Sequence, residues 1–372
     1  MSFEEYDLQS SVYRAKISVV GIGGAGGNAL RLMDESGIQN VRLIAMNTDV
    51  QALNMLEGRV EKFPLGLSVT GGLGAGGNPE IGREAAEADK ERIEKLLENT
   101  DMVFITAGLG GGTGTGASPV VAEIAKGKGI LTVAVVTKPF SFEGLRKKAI
   151  AEEGVGILME RVDSIIVVLN DNLLDPQKPR PFREACKLAD GILGMCVQTI
   201  SDLITIPSLI NLDFADVRNI MQNAGPALIG VGSAKGEGRA MEAARKAVNC
   251  PLLENRSIEG AKGVIICVAG GDDLDISEVN EATSFIKEQA DPNAQIKFGA
   301  MIDERFDEEM RVMVVATGFV QGFASKEEPL SEKIIQYPHS SRQGGEESQD
   351  SKEVPAIWRL GKGNKVSGGR FR

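Results

Sequence analysis

Five of the seven residues in Gly110-Gly111-Gly112-Thr113-Gly114-Thr115-Gly116 are glycine, and the stretch follows the apolar run 101–107 after Gly108 and Leu109. That run reads as a buried strand. Glycine at this density gives up so much conformational entropy that it is expected neither inside a helix nor inside a strand. A chain that accepts this beside a buried strand is expected to bring something against its backbone that side chains would exclude. Two more clusters repeat the pattern. Gly21-Ile22-Gly23-Gly24-Ala25-Gly26-Gly27 follows the run 16–20, and Gly71-Gly72-Leu73-Gly74-Ala75-Gly76-Gly77 precedes Asn78-Pro79. Asn78 suits a helix N-cap and Pro79 a first helical turn.

Apolar runs at 16–20, 41–46, 102–107, 130–136 and 164–169 alternate with helical patterns at 28–33, 78–98, 118–128 and 145–161. Continuously apolar strands between helices imply a parallel sheet covered on both faces. A long helix is expected over about 181–203, poor in charge after Asp190. Beyond it, strands at 227–232, 263–268, 294–298 and 310–316 and helices at 239–248 and 276–289 form a second α/β region. The expected fold class is therefore α/β. A flexible arm (1–14) precedes a Rossmann-like parallel-sheet domain (15–180), a central helix (181–206) and a C-terminal α/β domain (207–319). The polar segment 320–352 has little to bury and reads as a disordered linker. Residues 353–372 hold a short apolar island with the only Trp, Trp358, and then a basic tail.

The formal net charge of -11 argues against a nucleic-acid partner held through phosphate contacts. Cys186, Cys196, Cys250 and Cys267 form no CxxC pair, and the only histidine, His339, falls in the linker segment. Reduced thiols of a cytoplasmic protein are expected, and a histidine-based hydrolase is disfavoured. No uninterrupted apolar run reaches the ~18 residues of a membrane span.

Gly21, Gly23 and Gly26 make a GxGxxG between a strand and a helix, a dinucleotide fingerprint that a ligand-free tight turn could also produce. In an open parallel sheet, loops at the strands' carboxyl ends share one edge. Three glycine loops there imply an extended polyphosphate cradled by backbone N–H groups, with Thr113 and Thr115 as hydroxyl donors. No GxxxxGK[ST] is present. With no cradle lysine, amide dipoles and Mg²⁺ carried by the phosphates would neutralise the charge.

These motifs, in this order, resemble the tubulin/FtsZ superfamily from about Lys16 to Phe319, and within it the FtsZ branch of bacterial cell-division GTPases. The resemblance implies a GTP/GDP site with Mg²⁺, and K⁺ as a further candidate cation. Gly23, Gly24, Ala25, Gly26, Gly27 and Asn28 match the first phosphate loop. Asn47 and Asp49 match the segment near the ribose and Mg²⁺. Gly74, Ala75, Gly76 and Gly77 match a loop sensing the γ-phosphate. Gly108 leads into the signature cradle, Gly110, Gly111, Gly112, Thr113, Gly114, Thr115 and Gly116. Pro139 and Glu143 match the ribose loop, and Lys147 stands near the phosphates where an arginine is usual. Asn170 and Asp190 match the pair that reads guanine. Cys186 occupies the position of a base-stacking aromatic, with Phe182 as a substitute. No protein metal ligand is implied with certainty.

Asn211, Asp213 and Asp216 match the family's catalytic loop, which enters the next subunit's nucleotide site on head-to-tail stacking. Spacing alone reads Asp213 and Asp216 as an N-cap and a solvated turn. The resemblance instead has them polarise water for attack on the γ-phosphate. Val354–Leu360 resembles the peptide through which the family meets division and membrane-anchor proteins. The resemblance therefore implies a self-polymerising GTPase of the division ring, cytoplasmic and assembled beneath the inner membrane. Three alternatives stand beside it: a superfamily filament with little hydrolysis, a plasmid-segregation filament, and an NAD-dependent oxidoreductase.

Overall fold

The computed structural model describes residues 15–173, 181–205, 209–210, 212–249, 257–303, 306 and 308–319. The expected arm, linker and recognition peptide, Asn211, Cys250 and most of the proline-rich segment before the central helix lie outside them.

In chain order the elements are β1 (Ile17–Ile22), α1 (Gly23–Glu35), β2 (Val41–Asn47), α2 (Val50–Asn54), β3 (Glu61–Pro64), α3 (Leu67–Thr70), α4 (Pro79–Ala88) and α5 (Lys90–Leu96). Then come β4 (Met102–Gly108), α6 (Thr113–Gly127), β5 (Leu131–Lys138), α7 (Leu145–Met159), β6 (Ser164–Leu169) and α8 (Phe182–Thr205). The chain continues through α9 (Phe214–Met221), β7 (Gly225–Lys235), α10 (Arg239–Val248), β8 (Gly263–Gly270), α11 (Ile276–Gln289), β9 (Gln295–Ile302) and β10 (Glu309–Thr317).

Among the described residues one ten-stranded sheet runs in the order β3-β2-β1-β4-β5-β6-β7-β10-β8-β9. It is parallel from β3 to β6 and across the short β6–β7 contact. Strand β10 then pairs antiparallel with β7 and β8, and β9 pairs parallel with β8. Because helices cover both faces of the parallel half, β1 is buried along its whole length. Its residues alternate between two cores: Ile17 and Val19 join one, Val20 and Ile22 the other. The first core continues from α1 along α8 to the strands of the second half.

Helix α8 has 24 residues and, among the described residues, is the one helix long and apolar enough to cross a membrane. Leu193, Cys196, Val197 and Ile200 nevertheless pack into the core, which explains that composition without a bilayer. Across the β6–β7 contact, the buried Asp163 carboxylate accepts from the Thr132 N–H at 2.9 Å and the Asn223 N–H at 3.2 Å. One side chain thus ties β5 to the turn that enters β7.

Three sequence expectations are corrected. The first helix begins at Gly23, inside the glycine cluster, rather than at Asn28. Helix α6 begins at Thr113 rather than at Ser118, so Thr113–Gly116 are helical. The charged stretch after Asn78 is two helices, α4 and α5, divided at Asp89. Asp89 is drawn inward there: its carboxylate accepts from the Gly66 N–H at 2.6 Å and pairs with Arg92 at 2.6 Å.

Candidate functional site

The carboxyl end of the parallel sheet is built from loops that touch one another. A Cβ added to Gly23 would lie 3.1 Å from the Gly114 nitrogen, and one added to Gly108 would lie 2.7 Å from the Ala25 Cβ. The first turn of α1 therefore meets the end of β4 and the start of α6. The 71–78 loop closes on the same place, since a Cβ on Gly112 would lie 2.9 Å from the Ala75 Cβ and the Asn78 nitrogen. Gly110, at φ +99°, lies with the Lys147 carbonyl and Pro139 against it, at 2.8 and 3.3 Å from its missing Cβ. The three glycine clusters and the 139–147 segment thus share one edge, the edge where open α/β sheets bind ligands.

These glycines divide into two kinds, and the division corrects the expectation that all of them make room for a ligand. Gly108, Gly110, Gly112, Gly114 and Gly116 exclude side chains because protein lies against them: a Cβ on Gly114 would stand 2.5 Å from the Gly108 carbonyl, and one on Gly116 would collide with the Pro79 carbonyl. Gly26 is of the same kind, facing the Thr106 carbonyl at 2.6 Å. A Cβ added to Gly24, Gly76, Gly77 or Gly111 meets nothing within 4 Å. These four line open space. Gly27 and Gly74 have only loose neighbours, at 3.5 Å and 3.7 Å.

Polar side chains brace the loops. Thr115 Oγ1 accepts from the Gly110 N–H at 2.9 Å, and Thr113 Oγ1 lies 2.7 Å from Thr48 Oγ1. The hydroxyls expected to meet phosphate therefore have protein partners. Asn47 Oδ1 accepts from the Asp49 N–H at 3.2 Å, and Asp49 caps α2 through the Gln51 and Ala52 N–H groups. Asn78 caps α4 as its sequence predicts, accepting from the Glu80 N–H at 3.0 Å. Glu143 accepts from the Phe140 N–H at 3.1 Å and pairs with Lys147 at 2.8 Å. The free N–H groups at the starts of α1 and α6 and their dipoles favour an anion at this edge.

The other end of the cradle is suited to a base. Asn170, after β6, is buried, and its Oδ1 has no hydrogen-bond partner. A buried amide oxygen without a partner costs free energy, which a ligand N–H would recover. Asp190, on α8, accepts a hydrogen bond from Asn28 of α1, so the first helix and the central helix meet. Burial pushes the Asp190 carboxyl up to about 6, with Arg31 and Asn28 opposing the rise. Cys186 lies one turn earlier, and burial, Asp190 and Glu143 all raise its thiol pKa. The exposed Phe182 ring packs edge-on against Phe142 at 6.0 Å, and Phe142 stacks on Phe140 at 4.9 Å. This aromatic row, which spacing did not reveal, links the 139–144 segment to the head of α8.

Asp213 and Asp216 lie at another part of the chain, at the start of α9. Asp213 is the N-cap, its Oδ1 accepting from the Asp216 N–H at 2.7 Å. Asp216 in turn pairs with Lys297 of β9 at 2.5 Å. The capping role that spacing suggested for Asp213 is present. A cavity of about 760 Å³ lies elsewhere, between the end of α1, α8 and strands β8–β10, away from the glycine edge.

Comparison with known families and structures places this geometry. Residues 16–177 match the GTPase domain of the tubulin/FtsZ family, and residues 225–320 match the FtsZ C-terminal domain. An empty FtsZ dimer from M. jannaschii is 45% identical with a TM-score of 0.77, covering 84% of this chain and 90% of that one. A GTPγS-bound protofilament of CetZ2 from Haloferax volcanii is 22% identical with a TM-score of 0.71, covering 82% of this chain and 94% of that one. The latter likeness is one of fold.

Proposed function

The chain belongs to the FtsZ family of tubulin-like GTPases and so binds guanine nucleotide, and on that premise we propose that it polymerises head-to-tail and hydrolyses GTP at the junction between subunits. The observation that carries this is the separation of the parts. The cradle lines one sheet edge, whereas Asp213 and Asp216 begin α9, held by β9 of the other half. A heterologous contact that brings α9 of one copy to the cradle of the next generates a filament.

In this reading the open-faced Gly24, Gly76, Gly77 and Gly111 admit the phosphate oxygens to backbone N–H groups. Asn170 and Asp190 read guanine, which offers a donor pair to the carboxylate that adenine lacks. Glu143 holds the sugar, and Lys147 adds positive charge near the phosphates. The cradle residues fit a nucleotide that carries Mg²⁺ on its phosphates, which would supply charge neutralisation there. Asp213 and Asp216, with Asn211 of the same loop, orient water at the neighbour's terminal phosphate. Catalysis is then mostly positioning and electrostatics. The tail peptide Val354–Leu360 tethers filaments to division and membrane-anchor proteins, and assembly at the division site follows.

GTP-dependent sedimentation tests the assembly step. Polymer that pellets with GTP and Mg²⁺ above a threshold concentration, and disappears as GDP accumulates, is the expected result. Protein that remains monomeric at every concentration and nucleotide state would overturn the reading.

A further inference from the structure

The ion pair between β9 and α9 has a geometry that the shared-site reading does not by itself require. Lys297 and Gly299 are two apart on β9 and so share a face. A Cβ on Gly299 would lie 3.1 Å from the Leu212 Cδ1 and 3.3 Å from the Ile210 carbonyl, so the chain entering α9 lies directly against this strand. Ile210 and Ala300 exchange two backbone hydrogen bonds, each 3.2 Å, on the edge of β9 that no other strand covers among the described residues. Lys297 Nζ then reaches Asp216 Oδ1 at 2.5 Å. Three neighbouring positions of one edge strand therefore hold the segment from Ile210 to Asp216.

We propose that Lys297 is a positioning residue for hydrolysis and that β9 is the splint on which the Asp213–Asp216 turn is set. The inference rests on the shared-site reading above. Asp216 is fixed twice. Its backbone N–H is held by Asp213 Oδ1, and one carboxylate oxygen is held by Lys297. The carboxylate would otherwise rotate about its side-chain bonds. With Oδ1 engaged, Oδ2 is the oxygen left to accept from water in the neighbouring subunit's site. Both side chains are partly exposed, 32% for Lys297 and 25% for Asp216, so the pair contributes little to stability. What it fixes is geometry, and small displacements of a catalytic group cost rate steeply.

The test compares Lys297→Met and Lys297→Arg with the parent. GTP turnover by assembled polymer, the GTP concentration for half-maximal rate, and the assembly threshold are measured with Asp216→Ala alongside. In Lys297→Met, turnover is expected to fall about tenfold, short of the roughly hundredfold that a full 1 Å misplacement can cost. Half-saturation and threshold should stay within about twofold, and thermal unfolding should be nearly unchanged, as a partly exposed pair implies. Lys297→Arg keeps a charge that can grip the same oxygen and should restore most of the rate. Unchanged turnover in Lys297→Met overturns the proposal. A loss explained wholly by a raised threshold also overturns it, because Lys297 would then be a contact residue. An arginine variant as slow as the methionine one does the same. If Asp216→Ala keeps full activity, the shared-site reading fails. If Asp216→Ala is dead and Lys297→Met is not slowed, only the present inference fails.

Discussion

In its proposed role as guanine reader, Asp190 stands where the needs of the fold and of the base oppose each other. Burial raises its carboxyl to about 6, against the pull of Arg31 and the Asn28 hydrogen bond, while Cys186 and Glu143 stand close by without adding positive charge. A guanine reader must be ionised to accept from two N–H groups. Lowering the pH from 7 to 5 passes through this pKa and protonates the acceptor. Affinity for a fluorescent GDP analogue is therefore expected to fall about tenfold over that interval, the scale set by simple titration one pH unit below the pKa. Asp190→Asn should bind weakly with a flat profile. A parent protein whose affinity does not change with pH would contradict this assignment. The shift also bears on stability. Because the folded pKa is raised, the ionised form is the disfavoured one in the fold. The penalty is absent below the ordinary value of 3.8 and grows as pH rises through about 6. Asp190→Asn should therefore be no less stable than the parent at pH 7.

At the scale of elements, helices α1 and α6 begin inside glycine clusters because their first turns pack against other backbone. Gly116 meets the Pro79 carbonyl of α4, and Gly114 the Gly108 carbonyl at the end of β4. Gly116→Ala is expected to destabilise by about 1–3 kcal/mol, the cost of overpacking, and lower the unfolding midpoint. Gly111→Ala faces open space, so the midpoint should hold while nucleotide affinity drops. Calorimetry and nucleotide titration on the same two variants check this. The reverse assignment of effects would show that the glycines had been sorted wrongly. Strands β1, β4, β5 and β6 were legible because burial on both faces leaves continuous apolar runs. The start of α6 was not, because glycine's low propensity is a local signal and the close approach that favours it comes from α4, some thirty residues earlier. Strand β3 and helices α2 and α3 are only four or five residues long, too short for either period to register. The break at Asp89 was hidden because its cause, the Gly66 N–H, lies on a distant loop. Of the site, the glycine edge was legible from the three clusters at the strands' carboxyl ends, while Asn170 and Asp190 were reachable through the resemblance. The Phe140–Phe142–Phe182 row and the Lys297–Asp216 pair were not, since each joins residues far apart in sequence.

At the scale of the whole molecule, the central feature is one sheet that carries a nucleotide cradle on its parallel half and an acidic turn braced by its mixed half. The cradle offers backbone donors and, in the proposed reading, a base reader in Asp190, while Asp213 and Asp216 lie at the start of α9. The turn has two carboxylates, each already engaged by a cap or a lysine. In the proposed filament a second copy would complete the arrangement. The most direct test is phosphate release from GTP per subunit, measured against protein concentration with Mg²⁺, for the parent and Asp216→Ala. Specific activity near zero below a threshold, rising above it, and abolished in Asp216→Ala is the expected result. Activity per subunit that stays constant with concentration, or that survives the substitution, would place the whole active site within one chain and contradict the shared site.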